Sequence, residues 1–465
     1  MNIIEQMHKE LENNDALELA KKHSIDYISQ INDRNVYPTK QALDNLSFFD
    51  EDLPSQPADN LQLLNDLHQY GSPASVAQTG GRYFGLVNGG MIPVSLAVSW
   101  LVSTWDQNVP LHVTSPINAK LESVCEKWLQ QVLGLPSDTV AGFVSGSSMA
   151  IFCGLAAARY RLYQNLNWDI NSKGFAGAPK IRIIASKHAH GTVLKAIALL
   201  GLGTDNIEWL DVDTQGRAIA SSLPELDQSC LVILQAGNVN SGSFDPFEII
   251  CQKAKLAGAW VHIDGAFGLW AAASKQLAHL TKGMDGANSW SVDGHKTLNT
   301  PYDNGILLCR DKEALTHALH AAGSYIVYGN ERDGMLYTPE MSRRARAVEL
   351  WAVMKYLGSN GISELIDNLH CRTKQFANEL KGAGFKILND IVFNQIIIEV
   401  GDEDIRDRFL KHIQQSGECW VGGSQWFDKP VIRISVCSWV TTDEDVSRSV
   451  NAFVDAMKYV KSALK

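Results

Sequence analysis

The segment SVDGHKTLNTPYDNG, residues 291–305, sets one lysine, Lys296, after an apolar strand-like piece and before a turn rich in Asn, Pro, Asp and Gly. An amine aimed from a strand end into a loop can attack a carbonyl carbon and form a Schiff base. A second charged group holds the same kind of position. AWVHID (259–264) ends on Asp264, followed by Gly-Ala-Phe-Gly. A carboxylate closing an apolar strand is costly unless a cation faces it. FVSGSSMAIF (143–152) passes from a strand into a helix through Ser145, Gly146, Ser147 and Ser148. Small residues there admit an anion to the backbone N–H groups, and the helix N-terminus favours negative charge. No G-K-[ST] follows, so this is not a P-loop. SKHAHGTVLKA (186–196) adds His188 and His190 just before another helix.

Each feature has an ordinary explanation by itself. Serine is a common N-cap, a lone histidine is usually structural, and Asp264 with Lys296 reads as a buried ion pair, which is weak evidence for stability. No third ligand stands near His188 and His190 at a metal-binding spacing, so no metal centre is expected. Taken together, the four features suit one ligand, pyridoxal phosphate. Lysine would take the aldehyde, Asp264 the protonated ring nitrogen, the helix N-terminus the phosphate, and a histidine the ring face.

These groups need a frame that brings several strand ends to one edge. IRIIAS (181–186), IEWLDVD (207–213), CLVILQA (230–236), AWVHID, SWSVD (289–293) and GILLCR (305–310) read as buried strands. SSMAIFCGLAAARYRLY, HGTVLKAIALLGLG and PFEIICQKAKLAG read as helices between them. Near-continuous apolar strands alternating with helices predict an α/β domain with a mostly parallel sheet covered on both faces. Ligands in such sheets sit at the strand C-terminal ends. Residues 1–75 read as an N-terminal helical segment with a polar hinge at 50–60, residues 76–340 as the large domain, and residues 341–465 as a small C-terminal α+β domain. In that last domain strands are expected at NQIIIEVG, near Cys419 and at VIRISVC, with helices at 403–416 and from about Asp443.

The ordered motifs resemble the group II pyridoxal-phosphate-dependent amino-acid decarboxylases, of the aspartate-aminotransferase fold (fold type I). The resemblance covers roughly residues 75–455. It is carried by GGRYFG (80–85), SPINAKLESVCEKWL, FVSGSSMA, SKHAHGTVLKA, QAGNVNSGSFDP (235–246), VHIDGAFG, SVDGHKTLNTPYDNG, PEMSRRARAVELW (339–351) and IRISVCSWVTTDEDV. It implies a seven-stranded type of sheet and pyridoxal 5′-phosphate as cofactor. The implied reaction is decarboxylation of an L-amino acid to its amine and CO₂, through a Schiff base of the substrate amine. Another pyridoxal reaction (aminotransfer, carbon–carbon lysis or aldehyde-forming decarboxylation) is the alternative. By position, Lys296 is the Schiff-base lysine, Asp264 the ring-nitrogen partner and His190 the stacking histidine, with Ala266 on the other ring face. Ser147, Ser148 and His295 fall where the family contacts phosphate, and Asn238 where it reaches the cofactor's polar edge. Met149 departs from a position often acidic in the family. Arg433 is the candidate for the substrate carboxylate. Arg82, Tyr83 and Phe84 fall near the family's substrate pocket; the arginine would suit an acidic side chain, the rings an aromatic one. The family's proton-donating tyrosine falls in GSYIVYGNERDGMLYTPE (323–340), which holds Tyr325, Tyr328 and Tyr337. Tyr337 is carried forward as the catalytic candidate, with the other two left open. The resemblance also implies a homodimer.

The bulk numbers agree with an enzyme of small molecules. The chain has 465 residues, 45% hydrophobic and 20% charged, with a net charge of −10. That balance argues against nucleic acid as a partner and against an anionic membrane. The start, MNIIEQMHKELENNDALELA, lacks the basic and apolar regions of a signal peptide, and no uncharged run reaches the 18 or so residues a spanning helix needs. Eight cysteines stand singly, without a C-x-x-C pair. A cytoplasmic protein is expected.

Overall fold

A computed structural model describes residues 2–321, 328–329 and 331–463. The large sheet has seven strands: β1 (Val140–Val144), β2 (Arg182–Ser186), β3 (Ile207–Leu210), β4 (Cys230–Gln235), β5 (Trp260–Asp264), β6 (Ser289–Asp293) and β7 (Gly305–Cys309). Their order is β1-β7-β6-β5-β4-β2-β3. Only β7 runs against its neighbours, β1 and β6; the other pairs are parallel. Every residue of β1, β4, β5, β6 and β7 is buried. That is why these strands read as unbroken apolar runs: helices cover both faces. The crossover helices include Ser147–Asn165, Gly191–Leu199 and Phe247–Ala257.

Helix Ala347–Gly382 then leads to the small lobe, bending at Gly358, whose φ of 60° suits glycine. The small sheet is antiparallel, in the order β10-β11-β9-β8. Its strands are β8 (Lys386–Ile387), β9 (Gln395–Glu399), β10 (Gly422–Trp426) and β11 (Lys429–Ser435). Helices Glu403–Gln415 and Asp443–Ala463 complete it. The strand expected near Cys419 starts later, at Gly422. Trp420 instead makes an isolated bridge with Tyr83, which clips the 80–85 loop onto the small lobe. N-terminal helices Ile3–Leu11, Asp15–Ser29, Lys40–Asp44 and Asn60–Asp66 leave residues 50–59 without helix. Among the described residues no helix is long and apolar enough to cross a membrane.

One core residue predicts how the fold responds to acid. His262 lies within β5, wholly buried, with Nδ1 2.8 Å from Ser289 Oγ. Burial pushes its pKa down from 6.5 to about 3. The unfolded imidazole takes a proton near pH 6.5, the folded one only near pH 3. Stability from this group is therefore complete above about pH 6.5 and is lost as pH falls toward about 3. His262→Asn should melt below wild type at neutral pH, and the gap should shrink as pH falls. A gap independent of pH in thermal melts would refute this.

Candidate active site

The parallel strands deliver their last residues to one edge. Gln235 ends β4, Asp264 ends β5 and Asp293 ends β6. Backbone bonds stitch these ends together: Ala236 N donates to Asp264 O at 2.8 Å, and Gly265 N to Ser291 O at 3.0 Å. β1 and β2 run on into the helices headed by Ser147 and Gly191. Between them lies a small cleft lined by Val87, Ser147, His190, Gln235, Gly237, Val239, Asp264, Ala266, Phe267 and Lys296.

Lys296 Nζ lies 3.0 Å from Asp293 Oδ2, so its ion-pair partner is Asp293 and not Asp264. Asp293 is 1% exposed, and His295 Nε2 sits 3.5 Å from the same oxygen. His295 Nδ1 accepts from Asn304 N at 3.0 Å, and its ring stacks on Tyr302 at 4.3 Å. A Cβ on Gly89 would collide with the Lys296 carbonyl oxygen, so only glycine permits that backbone approach.

Asp264 accepts from Ala266 N at 3.2 Å and Ser291 Oγ at 3.3 Å. Among the described residues no cation comes within ion-pairing distance of it. Burial pushes its carboxyl above the ordinary value, while the nearby His190 and Lys296 pull it down. His190 caps helix Gly191–Leu199, its Nδ1 accepting from Thr192 N at 3.2 Å. Burial disfavours its charged form, with Asp264 opposing and Lys296 and Arg433 reinforcing. A neutral ring thus lies beside the buried carboxylate.

Helix Ser147–Asn165 starts from Gly146 with no side-chain cap. Ser147 therefore heads the helix rather than capping it, and the first-turn N–H groups have no partner within the helix. Ser148 is exposed on that turn. Gly305 packs so tightly on Gly146 that a Cβ there would strike its backbone, which fixes the cup against β7. Arg433, on β11, donates to Val239 O at 3.0 Å; it pairs with no carboxylate among the described residues. Burial lowers its pKa, with Tyr83 opposing.

Five of the residues singled out from sequence thus line one cleft: Ser147, His190, Asp264, Ala266 and Lys296. His295 stands next to it beside Asp293. Tyr83, stacked on Trp420 at 5.1 Å, is Arg433's neighbour. Others lie elsewhere. Arg82 is 3% exposed and spends its guanidinium on Glu418 O, Asn32 O and Arg34 O, with Asp445 at 3.6 Å. It is a structural clamp. Phe84 is fully buried against Phe376 in the small-lobe core. Asn238 turns its Oδ1 to Asn240 N and Ser241 N, and its buried Nδ2 has no hydrogen-bond partner; Gln235, Gly237 and Val239, its neighbours in sequence, line the cleft. Tyr337 packs against the middle of β1 at Gly142, its ring 4.1 Å under the Arg332 guanidinium, away from the strand ends. Tyr328 donates to Ala321 O at 2.6 Å, and Tyr325 lies outside the described residues. Sequence reading missed Asp293 and Gln235. Asp293 carried a usable signal, an acid closing an apolar strand as Asp264 does.

Pyridoxal phosphate fits what is present. The cleft joins a lysine amine, an uncapped helix start and a buried carboxylate lacking a cation. Gln235 also has a buried Nε2 with no hydrogen-bond partner, where a polar ligand atom would satisfy it.

Comparisons with known proteins agree. Residues 43–399 match the pyridoxal-dependent decarboxylase conserved domain. The chain is 28% identical over 346 residues to the acidic amino acid decarboxylase GADL1 of Xenopus tropicalis, covering 70% of this chain and 65% of that one. The Mus musculus GADL1 is 26% identical over 352 residues, covering 72% and 62%. The match thus spans less than two thirds of those relatives' own lengths. Mouse CSAD superposes with a TM-score of 0.88 at 21% identity, covering 95% of this chain and 98% of that one. Oryza sativa TDC, solved with PLP and tryptamine, gives 0.87 at 20% identity, covering 96% and 98%. At such identities these structures speak to the fold. The family match spans most of the chain, over the same residues that build the sheet and its cleft, and so the protein belongs to the pyridoxal-dependent decarboxylase family, with pyridoxal phosphate as its cofactor.

Proposed function

We propose that the protein decarboxylates an L-amino acid to its amine and CO₂. The observation that carries this reading is the buried Asp264 carboxylate, without a cation of its own, in the same cleft as Lys296. When bound, the cofactor supplies an electron sink for the bond that breaks. The chain supplies the rest. Lys296 offers the amine that holds the cofactor's aldehyde. Asp264 keeps the proton on the ring nitrogen. His190 would lie against one face of the bound ring and Ala266 against the other. The first turn of helix Ser147–Asn165, with Ser147, Ser148 and His295, would hold the phosphate. Lys296 is also placed to carry protons within the cleft, with Asp293 as its counterion.

Among the described residues Arg433 pairs with no carboxylate, and we assign it the substrate carboxylate. A charge-assisted bidentate contact contributes about 1.5–3 kcal/mol. Arg433→Gln should raise KM by roughly 10- to 100-fold and leave cofactor binding intact, as read by steady-state kinetics and cofactor absorbance. The GADL1 relatives are acidic amino acid decarboxylases. In this chain Arg82 does not supply the second cation that an acidic side chain would want, and Tyr83 with Trp420 offers an aromatic wall. The substrate is therefore best found by a screen across acidic, aromatic and diamino acids.

The deciding experiment is CO₂ release from each L-amino acid by the cofactor-loaded protein, with Lys296→Ala as blank. CO₂ with stoichiometric amine supports the reading. Keto acid-dependent turnover, or aldehyde in place of amine, would overturn it in favour of another pyridoxal reaction. We also propose a homodimer, since helix Ile3–Leu11 buries none of its apolar residues and exposes Ile3, Ile4, Met7 and Leu11. Light scattering that finds an active monomer would defeat that part.

A further inference from the structure

Three residues past Lys296, Asn299 is wholly buried and holds a left-handed backbone, with φ of 58°. Asparagine tolerates that region better than most residues do. Its own N–H donates to Lys296 O at 3.0 Å and closes the turn that carries the lysine, while its carbonyl accepts from Ile92 N at 3.2 Å. Its Nδ2 donates to Thr297 O at 2.8 Å and to Cys437 O at 3.1 Å. Its Oδ1 accepts from Gly90 N, and from Trp439 N at 3.0 Å. The side-chain amide thus spends both of its donors and both of its lone pairs.

These partners come from three stretches of chain. Lys296 and Thr297 form the lysine turn itself. Gly90 and Ile92 belong to the loop after Val87 of the cleft, and in the same loop Gly89 N donates to His295 O at 3.2 Å. Cys437 and Trp439 follow closely on β11, the strand of Arg433, and Trp439 Nε1 donates back to Met91 O at 3.1 Å. Asn299 therefore holds the two carbonyls that follow the lysine Cα, and it ties them to the small lobe through one buried group. A buried amide with every hydrogen bond made fixes its surroundings closely, and its loss leaves bare backbone groups on each side.

We propose that Asn299 is a positioning residue for the cleft. It sets the turn from which Lys296 projects and keeps that turn in register with the small-lobe strand bearing Arg433. The inference rests on the proposed function, in which Lys296 holds the cofactor and Arg433 the substrate carboxylate. Lysine carries its amine on a flexible stem, so a tilt of its backbone displaces the amine. A misplacement of about 1 Å costs on the order of 10²-fold in rate.

The test uses the cofactor-loaded full chain. Asn299→Gly keeps the left-handed backbone without steric cost and removes only the amide. Trp439→Phe removes the bond to Met91 O but leaves the lysine turn's own bonds, and serves as a control for lost stability. Both should melt below the parent. In Asn299→Gly kcat should fall roughly 10- to 100-fold with KM within about threefold of the parent, since Arg433 still holds the substrate while the amine is displaced. The pH at which the lysine-linked cofactor changes its absorbance should move by about half a unit or more, because the Lys296 nitrogen shifts relative to Asp293. Trp439→Phe should keep the parent's kcat and absorbance titration. Asn299→Ser, whose hydroxyl restores part of the bonding, should show the same signs in smaller degree, and decides the matter if the glycine variant does not fold. An absorbance titration and kcat equal to the parent's in the Asn299 variants would make the residue structural only and overturn the inference. A loss confined to KM, or the same losses in Trp439→Phe, would overturn it too. A parent lacking any band that Lys296→Ala abolishes would overturn the role of the lysine, and this inference with it, so the parent's own spectrum tells the two failures apart.

Discussion

Lys296→Ala should yield a folded protein that no longer holds its cofactor covalently and releases CO₂ at least about 10³-fold more slowly, since a group acting only in the reacting complex is removed. A methyl group cannot form the linkage, and no other lysine lines the cleft. The visible absorbance that an amine-linked cofactor shows should be lost. The variant should carry a second, structural mark. Lys296 neutralises Asp293, which is 1% exposed, across 3.0 Å. Removing one member of such a pair leaves an uncompensated charge, a change that costs about 3–5 kcal/mol for a fully buried pair. The cost here is smaller, because the lysine side chain is 20% exposed and His295 stays at 3.5 Å. The double variant with Asp293→Asn should therefore recover melting temperature without recovering activity. An unchanged cofactor band in Lys296→Ala would refute the assignment of the lysine. A double variant no more stable than the single one would refute the counterion role of Asp293.

The second large effect belongs to Asp264→Asn, and its sign should differ between the apo and loaded forms. In the apo-protein burial holds the Asp264 carboxyl above its ordinary value. The folded state keeps this proton to higher pH than the unfolded chain does. Stability from the group is therefore fully present below the unfolded value and is lost as pH rises through the folded one. At neutral pH, replacing the carboxylate by a neutral amide should leave the apo-protein as stable as wild type or more so. In the loaded protein, under the proposed function, the carboxylate would face the ring nitrogen. Losing a charge-assisted bond there should weaken cofactor affinity by about 10- to 100-fold and lower kcat by roughly 10²–10⁴-fold. Thermal melts with and without cofactor, with equilibrium loading, test both halves. Equal destabilisation of the two forms would mean that Asp264 is merely a structural acid.

The frame of the site was legible because burial on both faces leaves a plain mark. β2 to β7 all fall within the apolar runs read from the sequence, and β2, β4, β5 and β6 end on a polar residue. Asp264 and Lys296 stood out for that reason. Which way a side chain points was not legible where the backbone is irregular. In GGRYFG the chain is extended at Tyr83, which bridges to Trp420, so the residues on either side turn away from it. Tyr83 reaches Arg433 while Arg82 and Phe84 enter the small-lobe interior. Asn238 follows a related rule: in a turn its amide oxygen is drawn to nearby backbone N–H groups, which leaves only its Nδ2 without a partner. Tyr337 was placed by a motif whose tyrosine had no fixed spacing, and the Arg332 guanidinium claims its ring. The pairing of Lys296 with Asp293 was hidden behind the more conspicuous Asp264.

The bridge between Tyr83 and Trp420 has an evolutionary reading. Cofactor-facing groups stand on the rigid large sheet, while Arg433 and the Tyr83–Trp420 wall belong to the small lobe or are clipped to it. Under the proposed function, substitutions in the small lobe would alter which amino acid is accepted without disturbing the strand ends that face the cofactor.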